Sequence, residues 1–197
     1  MSIKLVIGGS MVNVISAYTP QVGLGEEEKK DFWEVLDEVV SSIPSTERLV
    51  VEGDFNGHIA SLLRGYDVVL VGFSFGERNE GGASHLNFSR AFGLWIANSC
   101  FMKKEDHLIT FRSSMAKTQI DFLLFRKGDK TLCKNCKVIP SENLLTQHRL
   151  LVIDLIINKG KKKRSVEDRP RFKWGSLTLA SSLKLGEKLK SKGGLEE

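Results

Sequence analysis

The chain has 197 residues, 41% of them hydrophobic and 27% charged, with a formal net charge of +5. That is the make-up of a soluble globular protein of one or two domains. It offers no run of the roughly 18 apolar residues that cross a bilayer, and Met1 to Gly9 lack the pattern of a signal peptide.

The charge is uneven. Asn158 to Glu197 carry 12 Lys+Arg against 5 Asp+Glu, and the remainder carries 17 against 19. The body therefore has no broad basic field, and any attraction for phosphate there must be local. Three cysteines, an odd number, predict reduced thiols in an intracellular protein, nuclear or cytoplasmic. Cys133 and Cys136 form a lone C-x-x-C. A zinc site needs further ligands, so two ordinary thiols beside a turn is the preferred reading.

In chain order, Ile3–Gly8 and Val12–Tyr18 read as strands joined by a turn at Gly8-Gly9-Ser10. Glu26 to Ser42 reads as a helix, with Phe32, Leu36, Val39 and Val40 at helical spacing and three glutamates at its start. Leu49–Gly53 is a short apolar strand leading into Asp54-Phe55-Asn56-Gly57. Gly72–Gly82 is a long loop and Leu86–Trp95 a second helix. Strands follow at Leu108–Arg112, Gln119–Phe125, Cys136–Pro140 and Arg149–Ile157. The order predicts a layered α/β or α+β protein with a mixed sheet. Residues 1–157 form the domain and 158–197 a basic linker or tail.

The sharpest local signal is Glu52-Gly53-Asp54-Phe55-Asn56-Gly57-His58. A carboxylate at a strand end and an amide two residues on project to the same side while the chain stays extended. The carboxylate can orient or deprotonate water, and the amide can hold a phosphate oxygen. Taken alone, Gly-Asp-x-Asn-Gly is equally a turn. Asp121 stands out independently: a carboxylate between Ile120 and Phe122 is costly to bury without a partner.

Four motifs in order, Ser16-Ala17-Tyr18-Thr19-Pro20, Gly53-Asp54-Phe55-Asn56, Ile120-Asp121 and Thr146-Gln147-His148, resemble the endonuclease/exonuclease/phosphatase superfamily. Gly76 to Gly81, Trp95 to Ser99 and Leu108 to Phe111 are similar to RTE-type LINE retrotransposon endonucleases and the domesticated proteins of the craniofacial development protein 2 type. The resemblance implies the C-terminal part of a four-layer, two-sheet sandwich and Mg²⁺- or Mn²⁺-dependent hydrolysis of DNA phosphodiesters, nicking a target strand. Carried over position by position, Asp54 would activate water and Asn56 would hold the scissile phosphate. Tyr18 would touch that phosphate, unless it is a core aromatic. His148 would stabilise the phosphoryl oxygens, with Asp121 accepting its other N–H. Asp54 and Gln147 would hold the metal. Thr110-Phe111 would lie near nucleic acid or simply pack. His58, His85 and His107 match no family site and are expected to be solvated or capping.

Two departures temper this. Gln147 stands where the family has Asp and offers a carbonyl without the charge that tightens a hard-cation site; Ala60 stands where relatives carry Gly. The resemblance also implies an N-terminal segment bearing a metal-binding Glu, without which activity is expected to be impaired. The alternatives are an inactive fragment that at most binds nucleic acid or protein, and a phosphatase of the same superfamily. Lys161–Arg164 with Arg169–Trp174 reads as an import signal, a phosphate-binding arm, or a linker to the reverse transcriptase region fused in relatives.

Overall fold

Acidic residues at Glu26 to Glu28 complement the helix dipole of α1 (Glu26–Ser41), and the Gly25 N–H donates to Glu28 Oε2 at 3.1 Å. The computed structural model describes residues 1–21, 23, 25–60, 72–143 and 147–156. Leu145, Thr146, Ile157 and the basic tail from 158 onward, with both of its charge clusters, lie outside the described residues.

Strands β1 (Ser2–Ile7) and β2 (Ser10–Tyr18) form the expected hairpin, and α1 leads to β3 (Arg48–Asp54). β2 and β3 run parallel, so α1 is their crossover. Helix α2 spans Glu80–Ala91, earlier than the pattern suggested. The Asn79 side chain caps it by accepting from the Gly82 N–H. Gly93, at φ 60, breaks the helix before Leu94–Ile96, which pairs as β4 with residues 124–126 and is not helical. Of the strand expected at Leu108–Arg112, only Phe111–Arg112 (β5) is extended; a 3-10 turn at Glu105–His107 precedes it. β6 (Lys117–Thr118), β7 (Asp121–Arg126), β8 (Cys133–Asn143) and β9 (Arg149–Leu155) complete the order.

The main sheet runs β1-β2-β3-β7-β4, with β5–β6 and β8–β9 as separate pairs. Alternation along each strand assigns its two faces. Leu49, Val51, Phe122, Leu124, Leu94 and Ile96 pack with Leu36 and Val40 of α1 and Leu86 and Phe88 of α2. On the other face Val50, Leu123, Phe125 and Trp95 meet Cys133, Cys136, Leu151, Ile153 and Leu155 of β8–β9. Among the described residues this gives three layers: helices, sheet, sheet. Cys133 and Cys136 sit in the inter-sheet core, where burial pushes the Cys133 thiol up to about 11 and Cys136 further in the same direction. They are core thiols, and no cysteine joins a metal-ready cluster among the described residues.

His85 departs from the solvated role expected of it. Its position on α2 faces the sheet, and the ring is fully buried against Phe55, with centroids 4.2 Å apart and planes at 9°. Neither ring nitrogen has a hydrogen-bond partner among the described residues. Burial drives its pKa down to about 3, so the ring is a neutral aromatic filler.

Two glycine sites bring backbone segments together beside the motif. Gly53 has φ 154, and a Cβ there would lie 1.8 Å from Ala17 O on β2; a Cβ on Gly82 would lie 1.8 Å from His58 O. Only glycine lets β3 seat against β2 and lets the start of α2 press on the loop after β3. Ala60 has φ 57, so its Cβ carries the left-handed strain of about 1–2 kcal/mol.

Candidate functional site

The strand alternation that buries Leu49 and Val51 under the helices places Glu52 and Asp54 on the inter-sheet face of β3. Asp121 opens β7 directly opposite Asp54 in the antiparallel register. Tyr18, at the end of β2, is the parallel partner of Asp54 on the other side. Three motif residues thus stand in one row across three strands. His148 enters from the second sheet, just before β9, and is bridged to Phe111 of β5. The Phe111 ring meets the imidazole edge-on at 5.0 Å. Neighbouring bonds fix this segment: Arg149 N donates to Thr110 O at 2.8 Å, and Arg112 N to Gln147 O at 2.9 Å.

His148 Nδ1 lies 3.1 Å from Asp121 Oδ2, and Nε2 lies 3.9 Å from Asp54 Oδ2. The first is a hydrogen bond and the second is not. The ring is therefore held from behind by one carboxylate and faces the other across a gap. Two like charges in direct register repel, and burial disfavours both anions. The Asp54 carboxyl is raised mainly by burial and further by Asp121, against the Asn56 N–H and His148. The Asp121 carboxyl is raised chiefly by burial and further by Glu52, against Thr110 and His148. The pair thus sits where positive charge is welcome.

Asn56 has φ 46, a left-handed conformation that asparagine tolerates. Its N–H donates to Asp54 Oδ1 at 2.9 Å, and its Nδ2 donates to Thr19 O at 2.7 Å. The turn reading of Gly53–Gly57 therefore holds, and the turn is what fixes the amide. Tyr18 is 61% exposed, which excludes the core-aromatic alternative, and its hydroxyl accepts from Gln21 Nε2. Gln147 is exposed beside His148.

Two buried polar side chains, not singled out in the sequence as supports, brace Asp121. Thr110 Oγ1 accepts from both the Ile120 and Asp121 N–H groups at 3.0 Å. Asn98 donates to Asp121 O at 3.0 Å and accepts from Leu123 N at 3.2 Å, continuing the β4 edge after β4 has ended. The available signal was a polar residue inside an apolar run, Ile96-Ala97-Asn98, which implies a buried partner. Thr110→Val keeps the shape but strips the acceptor from two buried N–H groups. It is expected to cost on the order of 3 kcal/mol, read from urea unfolding; an unchanged midpoint would refute the bracing role.

Asp54, Asp121 and His148 place their ligand atoms within 4.8 Å of one another, the sole such cluster among the described residues. As a metal cage the triad is imperfect, since Asp121 is taken up by Thr110 and the imidazole. Asp54 has an oxygen facing the open gap in a pocket that disfavours anions, and a hard cation fits there through that one carboxylate.

No family model matches the chain. Craniofacial development protein 2 from Tragulus javanicus and from Bos taurus are each 26% identical over 143 residues, 72% of this chain. The match takes in 25% and 24% of those proteins, so the chain spans about a quarter of the length of the curated relatives it matches. Among solved structures, a 3'-5' exonuclease (NExo) from Neisseria meningitidis superposes with a TM-score of 0.56 at 14% identity. It covers 79% of this chain and 65% of that one. A 3' phosphatase NExo from Neisseria, bound to product DNA hairpin, gives 0.55 at 15% identity with the same coverage. An endonuclease/exonuclease/phosphatase family protein from Leptotrichia buccalis gives 0.49 at 17% identity, covering 79% of this chain and 52% of that one. At such identities a likeness speaks for architecture alone, and here the architecture is plain: the chain shares the fold of the Neisseria 3'-5' exonuclease.

Proposed function

We propose that the cluster at the end of β3 is a phosphodiester hydrolase site that acts on DNA. One observation carries this: an imidazole hydrogen-bonded to a half-buried carboxylate through one ring nitrogen, with the other nitrogen directed at a second carboxylate 3.9 Å away. A structural histidine needs one partner; this one presents its free nitrogen to a gap lined by a strand-end carboxylate.

Asp54 orients and deprotonates the attacking water. The Asn56 amide, fixed by its bond to Thr19 O, contacts the scissile phosphate, and exposed Tyr18 flanks it. His148 faces the phosphoryl oxygens with its Nδ1–H given to Asp121, and in the doubly protonated ring Nε2–H is the group that donates toward charge developing there. Asp54 and the Gln147 carbonyl would hold Mg²⁺ or Mn²⁺, which when bound polarises a phosphoryl oxygen. The Neisseria enzyme bound to a DNA hairpin supports DNA as the polymer, and the RTE-like segments favour a nuclease over a phosphatase.

With a single uncommitted carboxylate oxygen, Asp54 Oδ2, and an uncharged amide at position 147, metal affinity is weak and cleavage slow. Nicking of supercoiled plasmid is therefore expected only at millimolar Mg²⁺, with EDTA abolishing it. Gln147→Asp adds the missing charge and is expected to lower the half-saturating Mg²⁺ concentration about tenfold, some 1.4 kcal/mol. An unchanged Mg²⁺ titration would remove position 147 from the site. Release of phosphate from a monoester in place of plasmid nicking would favour the phosphatase.

A further inference from the structure

A cleft of about 430 Å³ opens between the first turns of α1 and α2, lined among others by Thr19, Lys29, Lys30, Trp33, Gly81 and Ser84. It lies outside the cluster just described yet joins it through the backbone. Thr19 lines the cleft, and its carbonyl receives the Asn56 amide at 2.7 Å. Gly81 lines it too, with an ideal Cβ only 3.3 Å from Asn56 O. The atoms that hold Asn56 in place are thus the inner wall of the cleft.

Its volume is that of a ligand pocket, and its chemistry is mixed. Trp33 presents an indole already braced on three sides, by Phe32 at 5.1 Å, Phe88 at 5.3 Å and Phe55 at 6.3 Å. A ring so fixed loses little freedom when something stacks on it. Two ammonium groups and two carboxylates share the rim. Lys29 is paired to Glu26 at 2.7 Å, whereas Lys30 meets Glu34 only at 3.5 Å and is 73% exposed. Thr19 is 6% exposed, and its Oγ1 has no partner among the described residues. A simple anion site would be uniformly basic. A flat ring to stack on, one loosely held cation, the Glu80 carboxylate and the unpartnered Thr19 hydroxyl suit a ligand with a phosphate at one end and a heterocycle bearing N–H groups at the other.

We infer that this cleft is a subsite for one nucleotide of the DNA strand adjoining the cleaved bond, its base against Trp33 and its phosphate on Lys30. The inference rests on the hydrolase reading for the identity of the polymer. The site then grips its strand on both sides of Asn56, and strand preference depends on residues 26–33 and 79–84 as well as on the cluster.

The test is binding without turnover. The full chain in EDTA is titrated with the single-stranded pentanucleotide dA5 and followed by amide and indole NMR shifts. Inorganic phosphate is the parallel probe. The expected result is a set of dA5-dependent shifts at Lys29–Trp33 and Glu80–Ser84, including the Trp33 indole N–H, absent with phosphate alone. Ser84→Phe, which fills the cleft from a half-buried helix position, and Lys30→Glu are each expected to weaken dA5 binding at least tenfold with unchanged melting temperature. Shifts confined to other surfaces, identical shifts with phosphate, or full affinity in both variants would overturn the subsite. Plasmid nicking separates the two readings. Cleft shifts without Mg²⁺-dependent nicking sink the hydrolase and leave a nucleotide-binding cleft, whereas nicking without cleft shifts sinks the cleft alone.

Discussion

Asp54→Asn is expected to reduce Mg²⁺-dependent plasmid nicking about 10²–10⁴-fold, the range for loss of a general base. His148→Ala is expected to reduce it by a similar factor. The asparagine is nearly isosteric and still offers Oδ1 to the Asn56 N–H, so the turn survives while the group facing the imidazole loses its charge and basicity. Because the two side chains act on one reacting centre, the double variant should be scarcely slower than either single one. Multiplying losses would instead mean two independent effects. The melting temperature of Asp54→Asn should not fall, because the wild-type carboxylate is disfavoured by burial and by Asp121. A nicking rate within threefold of wild type in either variant would refute the assigned chemistry.

Acid should destabilise the fold through His85. An unfolded histidine takes up a proton near pH 6.5, whereas the buried ring resists until about pH 3. The unfolded state therefore binds the extra proton throughout that window, and stability falls as pH falls. The loss is about 1.4 kcal/mol per pH unit, or about 2–3 kcal/mol by pH 4.5. Asp54 and Asp121 act oppositely. Their folded carboxyls are raised, so protonating them between the raised value and the usual 3.8 restores some stability. His85→Leu isolates the histidine: it keeps apolar contact with Phe55 and should flatten the fall between pH 6.5 and 5 in urea midpoints. Equal pH slopes in wild type and variant would mean that the ring can be protonated in place.

Much of the candidate site is legible because its signals are local. Gly53-Asp54-Phe55-Asn56 announces both a turn and a strand-end carboxylate, and Asp121 betrays itself by standing in an apolar run. The pairing of Asp121 with His148 was also foreseen, and it stands at 3.1 Å. Thr110 and Asn98 were harder to read because their partners are backbone groups, and backbone carries no sequence signature. The helix at Leu86–Trp95 was misplaced because Leu86, Phe88, Leu94 and Trp95 satisfy an apolar pattern in either secondary structure. Gly93 was the punctuation that separates helix from strand. His85 was misjudged because histidine is ordinarily polar, whereas its position, one residue before Leu86 and three before Phe88, shares their buried face.

The register that sets Asp54 against Asp121 also bears on how such a chain drifts. A pair of half-buried like charges is a standing penalty that a single base change can lift at either position. Relaxed selection would thus carry the chain toward greater stability through loss of chemistry, with Asn at position 54 among the first and least damaging steps. Folded, long-lived descendants without cleavage are the natural end of that path. Conversely, a copy in which Asp54, Asp121 and His148 stand intact has not yet taken the step that physics makes easiest.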